Sequence, residues 1–122
     1  MKRKNQEVNK YQYLINQLLT LFFSGVYITS QEMIDLAANL GIELPSKSRE
    51  LILKNLFLEA EQRGQLESLL DGLIMLLQER IQQYNALNRD YAGIQEIASV
   101  WIHKANTMIR LLHQQKRANP YE

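Results

Sequence analysis

One apolar stripe constrains this chain more than any other feature. Leu66, Leu69, Leu70, Leu73, Leu77, Ile81, Tyr84, Leu87 and Tyr91 recur at steps of three or four. That spacing keeps them on one face of an α-helix for about seven turns. A strand alternates every second residue, so the pattern does not suit a sheet. From Leu73 to Leu77 the helix is apolar all round, which predicts burial from several sides.

The other segments carry the same period. Tyr11, Leu14, Ile15, Leu18, Leu19, Phe22 and Phe23 mark a first helix that Gly25 ends, with Val26-Tyr27-Ile28 as an extended connector. Thr29-Ser30-Gln31-Glu32 reads as a capping box that opens a second helix. Its apolar side is Met33, Ile34, Leu36, Ala37 and Leu40, and Gly41 stops it. Leu44-Pro45 forces a break. Ser46 or Ser48 caps a third helix with Leu51, Ile52 and Leu56 on its stripe, joined by Leu53, Phe57 and Ala60; Gly64 closes it. After the long fourth helix, Ile94, Ile97, Ala98, Trp101, Ala105, Met108, Ile109 and Leu112 define a fifth. Gly93 is the hinge between these two, and Asp90 is positioned to cap the fifth. A hairpin over residues 65–116 buries both stripes against each other, whereas one bent rod does not. No period-two strand or strand-flanked Asn-Gly turn occurs. The expected fold is therefore all-α: a bundle of about five helices, three shorter N-terminal ones and a long C-terminal pair.

Length and composition add limits. With 122 residues, 46% hydrophobic and 22% charged, the chain suits one domain over 1–122 with frayed ends at 1–10 and 114–122. The absence of cysteine removes disulfides, thiolate metal sites and a cysteine nucleophile, and fits a cytoplasmic protein. Net charge is +1, too small to argue for nucleic acid or membrane by itself. The charge is uneven, however. Residues 1–30 set Lys2, Arg3, Lys4 and Lys10 against Glu7; residues 31–79 hold nine acidic and four basic side chains; residues 80–122 hold six basic and three acidic. The uncharged run 11–31 behind a basic start superficially resembles a signal peptide. Asn16, Gln17 and Thr20 interrupt it, so the first helix of a bundle is the expected reading, without a membrane span.

Residues that could carry chemistry are few. His103 and His113 are ten positions apart on one helix, about 15 Å along its axis, too far to share a metal ion. Glu59, Glu61, Glu67 and Asp71 lack the inward Glu-x-x-His spacing of di-iron bundles. No phosphate loop or nucleophile elbow is present. The small all-α nucleases of the HEPN type place an arginine four to six residues before a histidine. Arg110 and His113 are separated only by Leu111-Leu112, so that activity is not carried over. The chain is expected to be non-enzymatic, with no cofactor or metal.

Two binding readings follow from residues 31–60. Leu36-Ala37-Ala38-Asn39-Leu40-Gly41-Ile42 looks like the first helix and turn of a helix-turn-helix, with Lys47 and Arg49 heading a degenerate recognition helix. Pro45 interrupts that turn, and the acidic middle segment opposes a phosphate backbone. The same residues, with Leu44-Pro45, Ser48-Arg49-Glu50-Leu51-Ile52-Leu53, Gln62-Arg63-Gly64-Gln65-Leu66 and Leu69-Leu70, resemble the death-like effector-associated domains of bacterial conflict systems over residues 18–78. Gln62 and Gln65 stand where that family has basic residues, and the last helix runs on past such a domain. The resemblance implies homotypic adaptor binding without catalysis.

Surplus apolar surface points the same way. Tyr11 and Tyr13 cannot both face one core, and Leu19, Phe23, Ile74 and Met75 exceed what a single core face needs. The expected function is a self-associating protein–protein interaction module, an adaptor or accessory subunit. Its partner surface is expected near Ile74, Met75, Tyr84, Tyr91 and Trp101. Nucleic-acid binding through Lys47 and Arg49 is the alternative.

Overall fold

The computed structural model describes residues 2–21, 28–44 and 48–118. Helix α1 spans Lys2–Thr20, α2 Ser30–Asn39, α3 Arg49–Gln62, α4 Leu66–Asp90 and α5 Gln95–Ala118. No strand occurs among the described residues, and the fold is all-α.

Local signals set most boundaries. The Thr29 hydroxyl accepts from the Glu32 amide at 3.1 Å, and the Glu32 carboxylate accepts from the Thr29 amide at 2.9 Å, completing the capping box of α2. Ser48 caps α3 through the Leu51 amide, at 3.4 Å. Helices α2 and α3 end alike. Gly41 and Gly64 adopt φ of +77° and +69°, and the next amides, of Ile42 and Gln65, reach back to the carbonyls of Ala37 and Ala60 at 2.8 and 2.7 Å. This is the six-to-one closure that satisfies orphaned carbonyls at a helix end. The two ends are also tied together. Arg63 Nη1 donates to the Gly41 carbonyl at 2.8 Å and Gln65 Nε2 to the Leu40 carbonyl at 3.0 Å. The Gln62–Leu66 corner thus finishes α2 as well as α3, with the Arg63 cation at the negative end of the α2 dipole.

Helices α4 and α5 form an antiparallel hairpin. Tyr84 packs on Trp101 with ring centroids 4.9 Å apart, and Lys116 Nζ pairs with Asp71 Oδ1 at 2.6 Å. Both pairs are nearly equidistant from Gly93 along the chain, which only a folded-back pair allows. Helix α1 packs on α3 and α5, α2 on α3 and α4, and α3 also on α4. The shared core holds Leu14, Ile15 and Leu18 of α1, Leu53, Leu56 and Phe57 of α3, Leu69, Leu70, Leu73 and Leu77 of α4, and Met108 and Leu112 of α5. Tyr11 stacks on Phe57 at 5.2 Å while its hydroxyl donates to Glu61. The apolar side of residues 11–21 is therefore spent on the core. No helix among the described residues is long and apolar enough to cross a membrane.

Several expectations need correction. Asp90 does not cap α5; it is the last residue of α4. The helix breaks at Tyr91, with φ −135° and ψ 90°, and Gly93 lies in a 3-10 turn over Ala92–Ile94. Leu51 is exposed, and the stripe of α3 runs through Ile52, Leu53, Leu56, Phe57 and Ala60 instead. Phe22, Phe23, Gly25, Val26, Tyr27, Pro45, Ser46 and Lys47 lie outside the described residues.

Candidate interaction surface

The hairpin is longer than the helices that cover it. Helices α4 and α5 have 25 and 24 residues, roughly 37 Å each at 1.5 Å per residue. Gln17 and Thr20 of α1, with Leu21 just after it, line one cleft with Lys104, Thr107, Met108 and Leu111 of α5. Helix α2 reaches α4 as far as the Glu32–Arg80 ion pair, at 2.6 Å. Beyond these points, toward the turn, Ala98 is the sole buried hydrophobic residue among those described.

The strips that α1 and α2 cover nevertheless continue. On α5, Ile97 and Val100 precede Lys104, Thr107 and Leu111 at steps of three and four; on α4, Arg80 lies four residues after Leu76 and Leu87 seven after Arg80, two turns along the same face. Both covering helices also pack on α3, so the two strips lie on one side of the hairpin. Ile97 and Val100 are each 53% exposed, Leu87 40% and Tyr91 62%. The half-buried Tyr84–Trp101 pair lies between the two helices. The result is an apolar floor at the turn end of the hairpin, the end that α1 and α2 leave open.

The five residues expected at a partner surface do not form one surface. Tyr84, Tyr91 and Trp101 lie at this open end. Ile74 is only 5% exposed and belongs to the protein's own core. Met75 is 63% exposed, but it lines a separate groove between α2 and α4. Sixteen residues of helix separate it from Tyr91, about 24 Å. Leu87, Ile97 and Val100 belong to the open end; sequence periodicity marks Leu87 and Ile97 as stripe positions and does not single out Val100. Their signal lay in the mismatch between two long helices and three short ones. Of the tyrosine pair, Tyr11 is buried and Tyr13 exposed, as their spacing requires.

For the nucleic-acid alternative, Lys47 is outside the described residues and Arg49 is half-buried at the first turn of α3. Helices α2 and α3 carry Glu32, Asp35, Glu50, Glu59 and Glu61 against Arg49 and Lys54. That surface is acidic and repels a phosphate backbone. Among the described residues no group of three or more His, Asp or Glu side chains could hold a metal ion, and His103 and His113 are both exposed.

Electrostatics displace the Lys116 ammonium from its ordinary range. Its hydrogen bond to Asp71 raises it above the ordinary lysine range; desolvation pulls the other way, and the charges of Asp71 and Glu67 add to the rise. Lys116 and Arg80 both anchor the cationic last third of the chain to carboxylates of its acidic middle. Compared with known proteins, the chain matches no family model, no curated protein and no solved structure. The likeness to effector-associated domains rests on its motif residues alone.

Proposed function

We propose that this protein is a non-enzymatic interaction module, an adaptor or accessory subunit of the cytoplasm, that self-associates through the open end of its α4–α5 hairpin. The observation that carries the reading is the apolar floor of Leu87, Tyr91, Ile97 and Val100, which continues a covered face past the helices that cover it. Fully burying a side chain of this size stabilises by roughly 1.5–3 kcal/mol. These residues are already partly covered, so each gains about half of that; a two-fold contact uses each residue twice, and this gain is set against the cost of association. The floor contains no charged side chain, as the centre of an interface favours.

Sedimentation velocity over a range of protein concentrations tests the proposal. The parent chain is expected to shift from monomer to dimer as concentration rises, and an Ile97→Glu, Val100→Glu variant to stay monomeric with an unchanged helical circular dichroism spectrum. A parent chain that is monomeric at every concentration overturns it. Binding to a mixed DNA and RNA pool across a salt series separates the nucleic-acid alternative, for which affinity falls steeply with salt.

A further inference from the structure

We propose that the groove between α2 and α4 is a second, independent docking site, and that its occupant is a cationic amphipathic helix of another protein. The groove has a volume of about 250 Å³, with Leu36, Met75 and Leu76 among its lining residues. A Cβ on Gly72, which lines the groove, would overlap Leu36 Cδ1, the tip of a flexible side chain. Leu36 can therefore sit in the notch on α4, and the long side chain of Met75 is left uncovered beside it. A flexible thioether on a groove floor adapts to apolar side chains of different shapes.

The walls fix the charge of the occupant. Asp35 on α2 and Glu79 on α4 stand on opposite sides, and no cation pairs with either among the described residues. Glu32 lines the same groove but is already neutralised by Arg80 at 2.6 Å. Asp35 accepts from Gln31 Nε2 at 2.9 Å and keeps its charge. Two anionic carboxylates, one from each helix beside an apolar floor, match a segment with one large apolar anchor and a Lys or Arg three or four residues away on the same helical face. From Gly72 to Glu79 the groove is roughly 10 Å long, about two helical turns. An anionic lipid surface or a nucleic acid would meet these carboxylates as like charges.

The site differs from the hairpin's open end in position and in physics, so the two can fail separately. The probe is a fluorescent fourteen-residue helix of leucine and lysine with one apolar face, compared with a scrambled peptide of the same composition. Anisotropy is expected to show at least tenfold tighter binding of the amphipathic peptide, weakening as salt rises. Asp35→Lys with Glu79→Lys should weaken it at least tenfold; both side chains are exposed. Should that double variant misfold, Met75→Ser gives the same reading on an exposed apolar residue. Ile97→Glu with Val100→Glu should leave peptide binding unchanged while removing self-association. Equal binding of the scrambled peptide, indifference to the groove variants, or no binding at all overturns the proposal. Competition by a peptide of residues 1–14 of this chain, at equal or better affinity, would reassign the occupant to a second copy.

Discussion

Asn88 shows how one side chain can be out of keeping with its surroundings. Its Oδ1 is shielded from solvent and accepts no hydrogen bond among the described residues, and an amide is also a poorer helix former than leucine. An unsatisfied buried acceptor costs roughly 1–3 kcal/mol. Asn88→Leu is therefore expected to raise stability by about 1 kcal/mol, read from the urea midpoint. Lys116 makes the opposite case. Because the bond to Asp71 raises its folded-state value, its contribution is complete below the unfolded lysine range and is lost as pH climbs through the raised one. Asp71→Asn should thus lower urea stability by a constant amount near neutrality, and the gap to the parent should close in strong alkali. The lysine titration itself, followed by NMR, should move to lower pH in the variant.

At the scale of elements, the contact between α2 and α4 depends on the one glycine inside the strongest helical stripe. Gly72 costs α4 about 0.8–1 kcal/mol in helix propensity, and in return Leu36 reaches the helix backbone. Gly72→Leu would recover that propensity but force Leu36 and α2 away, an overpacking of about 1–3 kcal/mol. A net loss of thermal stability is the expected outcome, with the loss abolished by a compensating Leu36→Ala. Much at this scale was legible beforehand: the capping box at Thr29, the left-handed stops at Gly41 and Gly64, and the hairpin about Gly93 all follow from local chemistry. What was not legible depends on where neighbouring helices end. Ile74 and Met75 are adjacent in a run that is apolar all round, and nothing local says which faces α2. Ile97 holds a proper stripe position but lies past the end of α1. Leu51 lost its place on α3 to Leu53 and Phe57 because α1 packs on that other side.

For the whole molecule, the proposed dimer has a thermodynamic signature. A contact between folded chains stabilises the folded state by mass action, so the melting temperature of the parent should rise with protein concentration. Salt should barely alter that rise, since the floor of the contact is uncharged, and the Ile97→Glu, Val100→Glu variant should melt at one temperature throughout. A surplus of apolar helix is legible in the sequence, but not its place. Tyr84, Tyr91 and Trp101 lie at the open end, where the stripes outrun their cover, whereas Ile74 and Met75 do not.

The seat of α1 on α5 also bears on how the chain is made. The buried face of α1 packs partly on α5, which follows it by about seventy residues. Until α5 emerges from the ribosome, α1 can lean on α3 alone, and part of its greasy side stays available to neighbouring nascent chains. Emergence of α5, rather than synthesis of any earlier helix, is the moment at which this bundle can close.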